Sequence, residues 1–165
     1  MATDLVNPIS VLTAATAVNT TSGTAIVFTG IPNWVKRVTV MLNGVSTNGS
    51  NTIQLQLGSG SFSTSGYTSS TSAINGGTGQ QSSTTGLALV NIAATNSCSG
   101  LAILSLISTN TWVYSGSFQY TATAGAMSMC SGNSPSLGGS LDRIQLTTVG
   151  GTNTFDAGSM NIFYE

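Results

Sequence analysis

A chain of 165 residues is the size of one domain, enough to bury roughly 70% of the surface its unfolded form exposes, so a core without disulfide staples is expected. Only 4% of the residues are charged, against about 25% in an ordinary soluble domain, and one Lys with two Arg cannot neutralise a phosphate backbone. The absence of His removes the Ser-His-Asp and Cys-His nucleophile systems together with the commonest metal ligand, and no apolar run reaches the length of a membrane span. Nucleic acid, membrane, metal and cofactor are therefore not expected as partners.

Residues 1–24 contain Pro8 and scattered apolar residues without strand alternation, and read as an arm ahead of a β domain over 25–165. Leu5, Val6, Ile9, Val11 and Leu12 have no obvious place in a sandwich, and are the candidate attachment residues: exposing them is unfavourable by about 25 cal/mol per Å². Asp4 stands where a secretory signal would carry basic residues, so synthesis in a cytoplasm is expected.

From residue 25 onward, short apolar runs alternate with turn formers. Strands are predicted over 25–29, 34–42, 52–57, 63–67, 87–92, 101–107, 112–120, 144–148 and 159–164. In the second, Val38, Val40 and Leu42 share one face while Val35, Arg37, Thr39 and Met41 share the other; in the third, Ile53, Leu55 and Leu57 oppose Thr52, Gln54 and Gln56. Asn43-Gly44 and Asn48-Gly49 tolerate positive φ and are expected to turn the chain between these two strands. Residues 68–86, rich in Ser, Thr and Gly, are predicted to be an exposed loop. Trp112, Tyr114, Phe118 and Tyr120 share a face by parity, which favours core over a sugar-stacking platform.

Many short strands, Gly-rich turns and no helical periodicity describe an all-β protein, an antiparallel two-sheet sandwich with jelly-roll wrapping; an immunoglobulin-like sandwich is the runner-up. A net charge of −1 offers little repulsion between copies, which favours a subunit of an assembly. Arg37, Met41 and Phe163 are candidate subunit-interface residues: Met41 lies opposite Val38 and Val40, Phe163 opposite Met160 and Ile162, and Arg37 reads equally as a snorkelling surface cation beside Lys36 or as the partner of Asp142, Asp156 or Glu165 within or between subunits. Asp142 and Asp156 are the only plausible acid pair for glycoside hydrolysis, and pairing with the scarce cations or with turn groups accounts for them more simply. Cys98 and Cys130 are too few for a scaffold and are read as free thiols. Gly76-Gly77-Thr78-Gly79 lacks the Lys-Ser/Thr continuation of a phosphate loop and is read as a turn.

The segment Phe28-Thr29-Gly30-Ile31-Pro32-Asn33-Trp34-Val35-Lys36-Arg37-Val38-Thr39-Val40-Met41-Leu42-Asn43-Gly44-Val45-Ser46-Thr47-Asn48-Gly49 resembles a stretch of bacteriophage virion proteins, found in tail-fibre, head-fibre and decoration modules. The ending Thr154-Phe155-Asp156-Ala157-Gly158-Ser159-Met160-Asn161-Ile162-Phe163-Tyr164-Glu165 is similar to the close of the same family. The resemblance implies a non-enzymatic module on the outer surface of a virion, a β-sandwich and often a homotrimer, bound to other virion proteins of capsid or tail. Within the virion a capsid-bound decoration (cement) or head-fibre protein is expected, because the chain has neither heptads nor fibrous repeats for a shaft. The rival is a tail-fibre or receptor-binding module that recognises host glycans through residues 58–86 and 131–140.

Overall fold

The computed structural model describes residues 12–74, 79–121 and 126–165. Among them there is no helix, and the strands form two antiparallel sheets packed as a β-sandwich. The five-stranded sheet holds β3 (Ala25–Thr29), β5 (Asn51–Ser59), β6 (Ser61–Phe62), β9 (Leu87–Ile92) and β13 (Arg143–Thr148). The nine-stranded sheet is ordered β1 (Thr13–Ala14), β14 (Phe155–Tyr164), β4 (Arg37–Thr47), β10 (Cys98–Ser108), β11 (Thr111–Tyr120), β12 (Met127–Asn133), β7 (Thr68–Ile74) and β8 (Gln81–Ser83), with β2 (Val18–Asn19) also paired to β14. The chain crosses between sheets from β3 to β4 to β5, again around β9, and from β12 to β13 to β14; this repeated crossing is the wrapping of a jelly roll, to which β10, β11 and β12 add a meander.

Alternation sets which face is core. Val38, Val40, Leu42, Ile53, Leu55, Leu57, Ala102, Leu104, Trp112, Tyr114, Phe118, Ile144, Leu146, Met160 and Ile162 all point between the sheets and are buried. Polar groups that enter the same space carry their own partners. The Tyr114 hydroxyl donates to Ala88 O across the sandwich, and Thr71 Oγ1 donates to Leu89 O at 2.8 Å.

The structure departs from the sequence expectations in five places. Asn43-Gly44 does not turn the chain, because β4 continues to Thr47 and Gly44 (φ 63°) forms a bulge against Gly158 (φ 92°) of β14. A Cβ on Gly158 would lie 2.5 Å from the Gly44 carbonyl carbon, so Gly158 must be bare at that crossing, while Gly44 is favoured there by its positive φ. The turn is made at Asn48-Gly49, where Thr47 Oγ1 donates to Gly49 O at 2.8 Å.

Residues 63–67 are a loop rather than a strand, and the predicted loop 68–86 contains β7 and β8; Gly76, Gly77 and Thr78 lie outside the described residues. The strand β12 was not expected at all. Residues 12–24, expected within the arm, instead run along β14: Thr13 and Ala14 face Tyr164 and Phe163, Val18 and Asn19 face Met160 and Ser159, and Thr20 is fully buried with its hydroxyl on Ala157 O. They occupy the edge that β14 would otherwise present.

Candidate assembly face and polar cleft

Parity on the nine-stranded sheet sends every second side chain outward. Across the middle of that face the register sets Asn161, Met41, Leu101, Ser117, Met129 and Ser72 in one row, and Phe163, Thr39, Ile103, Ser115, Ser131 and Ser70 in the next. Met41, Leu101, Ile103 and Phe163 therefore form an apolar ridge over β14, β4 and β10. Beside it, the serines of β11, β12 and β7 form a trough, with Met129 standing within it. The trough is a concavity of about 560 Å³ bounded by Leu101, Ile103 and Met129. Leu101 is 45% exposed, Ile103 38% and Met129 58%, all high for side chains of their size.

No charged residue lies on β7, β10, β11 or β12. The ridge ends in charge only where Arg37 forms an ion pair with Glu165, whose backbone also accepts from Lys36 N and Arg37 N at 2.8 Å. Of the candidate interface residues, Met41 and Phe163 thus belong to one apolar surface, and Arg37 stands at its rim with its charge matched. Sequence reasoning missed Leu101, Ile103 and Met129. For Leu101 and Ile103 the available signal was that both faces of β10 are apolar; for Met129 hydropathy offered none.

The candidate attachment residues Leu5, Val6, Ile9 and Val11 lie outside the described residues; Leu12 is exposed. Asp142 and Asp156 do not form a pair. Asp142 precedes β13, accepts from Gly60 N at 3.0 Å and from Arg143 Nε at 2.7 Å, and the Arg143 guanidinium holds its carboxyl below the usual carboxylate range. Asp156 lies at the far end of the sandwich and accepts from Ser46 Oγ. Cys98 and Cys130 are buried free thiols two strands apart, and their register places them roughly 16 Å from each other, beyond disulfide reach. Among the described residues no cluster of three or more potential ligands could hold a metal ion, and no helix is long and apolar enough to cross a membrane.

The outer face of the five-stranded sheet has the opposite character. Gln54 and Gln56 of β5 and Gln145 and Thr147 of β13 point outward and floor a cleft of about 390 Å³. Thr64, Thr85, Gly150 and Gly151 are among the residues that complete its lining. Gln54 Oε1 accepts from Ser83 Oγ at 2.8 Å and Thr85 Oγ1 at 3.2 Å; Gln56 Nε2 donates to Thr85 O at 2.8 Å, and Gln145 Nε2 donates to Gln56 Oε1.

No family model matches the chain, and no curated protein or solved structure is significantly similar to it.

Proposed function

We propose that the chain is a non-enzymatic structural module of a bacteriophage virion, a capsid-bound decoration or head-fibre protein that assembles as a homotrimer through the outer face of its nine-stranded sheet. The observation that carries the assembly is the uncharged ridge of Met41, Leu101, Ile103 and Phe163 beside a trough of serines. Covering this face with a second copy removes apolar surface from water and strips no ion of its hydration. Ridge and trough are different patches, so a ridge seated in a neighbour's trough makes a head-to-tail contact that closes a ring. The virion itself is supported by the sequence resemblance over 28–49 and 154–165. The arm ahead of β1, with Leu5, Val6, Ile9, Val11 and Leu12, is the proposed attachment to the particle.

Light scattering at micromolar concentration should give about three times the 16.6 kDa chain mass. Electron microscopy of virions should place the trimer on the capsid. A monomeric mass removes the assembly, and density at a tail tip replaces the decoration role with the receptor-binding one.

A further inference from the structure

We infer that the cleft on the outer face of the five-stranded sheet binds a neutral saccharide. This goes beyond the structural role and does not depend on it, since the cleft lies on the side of the sandwich away from the proposed trimer contact.

The cleft's side chains are fixed before any ligand arrives. Gln56 and Gln145 are locked to each other and to Thr85 O, and Thr147 Oγ1 donates to Thr24 O at 2.9 Å. Preorganisation of this kind removes the cost of ordering long side chains on binding. The internal bonds nevertheless leave capacity unused. A primary amide has two N–H groups and two lone pairs on oxygen, and Gln145 spends one N–H on Gln56. Gln145 and Thr64 both line the cleft, where the rest of that capacity can meet a ligand. At Gly150 (φ 85°) and Gly151 (φ 65°) nothing lies within 4 Å of where a Cβ would stand, so bare peptide groups can be approached closely.

The chemistry of the lining selects the ligand class. Every lining residue is uncharged, so an ion finds no countercharge. Arg143, the next outward residue of β13, has its charge matched by Asp142 and lies 5.8 Å from the centroid of the Phe62 ring. An apolar ligand would desolvate amides and hydroxyls without replacing their bonds to water. What satisfies closely spaced groups that each donate and accept is a ligand whose own groups do both, which is a set of sugar hydroxyls.

The test uses the full chain, labelled with nitrogen-15, titrated with glucose, galactose, mannose and N-acetylglucosamine up to about 50 mM, with N-acetylneuraminic acid as the charged comparison. At least one neutral sugar should produce saturable shifts in the Gln145 and Gln56 side-chain amides and in the Gly150 and Gly151 backbone. Gln145→Ala should weaken that binding about tenfold, as loss of bonds worth about 1.4 kcal/mol does, while Leu101→Ser leaves it unchanged. Should Gln145→Ala lose its dispersed spectrum, Thr64→Ala, in a loop, takes its place. No shift with any neutral sugar, shifts that map elsewhere, binding only of the acidic sugar, or unchanged affinity in the variants would each overturn the inference. Because the assay needs neither virion nor trimer, its failure leaves the structural role standing.

Discussion

The Tyr67 hydroxyl receives the Leu57 N–H at 2.9 Å and donates to Ser63 O at 3.0 Å, so one buried side chain takes over from β9, whose pairing with β5 stops at Leu55, and ties down the loop that follows β6. Leu57 N has no strand partner there. Burial raises the Tyr67 pKa, so the phenol stays protonated and able to donate. Tyr67→Phe keeps the ring but leaves a buried N–H unsatisfied, and should cost about 1–3 kcal/mol in urea unfolding. A midpoint equal to wild type would mean that the N–H finds water instead.

The same residue explains why 63–67 looks like a strand in sequence and is not one. Tyr67 is apolar enough to suggest alternation, but its polar end is spent on a loop. The reverse error befell 68–86. In β7 the inward residues are Ser69, Thr71 and Ala73, so both faces read as polar; Ser69 Oγ on Gly86 O (2.7 Å) and Thr71 Oγ1 on Leu89 O (2.8 Å) make that burial tolerable. In β12 the pattern is inverted, with Met127 and Met129 outward and Ser128 and Cys130 inward. Hydropathy alone cannot orient either strand.

Where apolar residues alternate with polar ones, the sequence was legible. Leu55 is fully buried between Leu87 and Leu146 in register, as its spacing with Ile53 and Leu57 requires. Leu55→Ala should cost about 2–5 kcal/mol, the price of lost transfer energy plus a cavity in a core that cannot collapse around it. Calorimetry showing no change in melting would contradict the assigned face.

Burial pushes the Cys98 and Cys130 thiols up to about 12. An unfolded cysteine releases its proton near about pH 8.5, so the stability carried by these protonated thiols is complete below that pH and drains away as pH rises toward about 12. The urea midpoint should fall as pH is raised from about 8 to 9.5, and the Cys98→Ala/Cys130→Ala variant should flatten that slope. In the native protein at about pH 8 both thiols should resist an aromatic disulfide reagent, and both should react in denaturant. Rapid native labelling would show the burial to be wrong.

The candidate sites were legible only in part. Met41 and Phe163 could be placed on an outward face by parity, but which strands lie beside them depends on pairing between residues far apart in sequence. Leu101 joins Met41 only because β10 pairs with β4, and the serine trough exists only because β11, β12 and β7 follow in that order. The amide cleft depends in the same way on β13 lying beside β5, which sets Gln145 opposite Gln56 across about 90 residues of sequence.

The outward position of Leu101 separates fold from assembly in one experiment. Its side chain points away from the core, and its register neighbours Met41 and Ser117 are outward too, so Leu101→Asp leaves the inner packing untouched and should melt within about 0.5 kcal/mol of wild type. In the proposed trimer the same aspartate would be buried against a neighbour's serines with no cation to meet it, since β7, β10, β11 and β12 carry none. An unpaired buried carboxylate costs several kcal/mol per contact, enough to shift a micromolar association by more than about a hundredfold. Light scattering should therefore report a folded monomer for Leu101→Asp, while Ile107→Asp, at the bulge of β10 and past its last pair with β4, should remain trimeric. If Leu101→Asp assembles as wild type does, the ridge is not the contact and the trimer must close through another face.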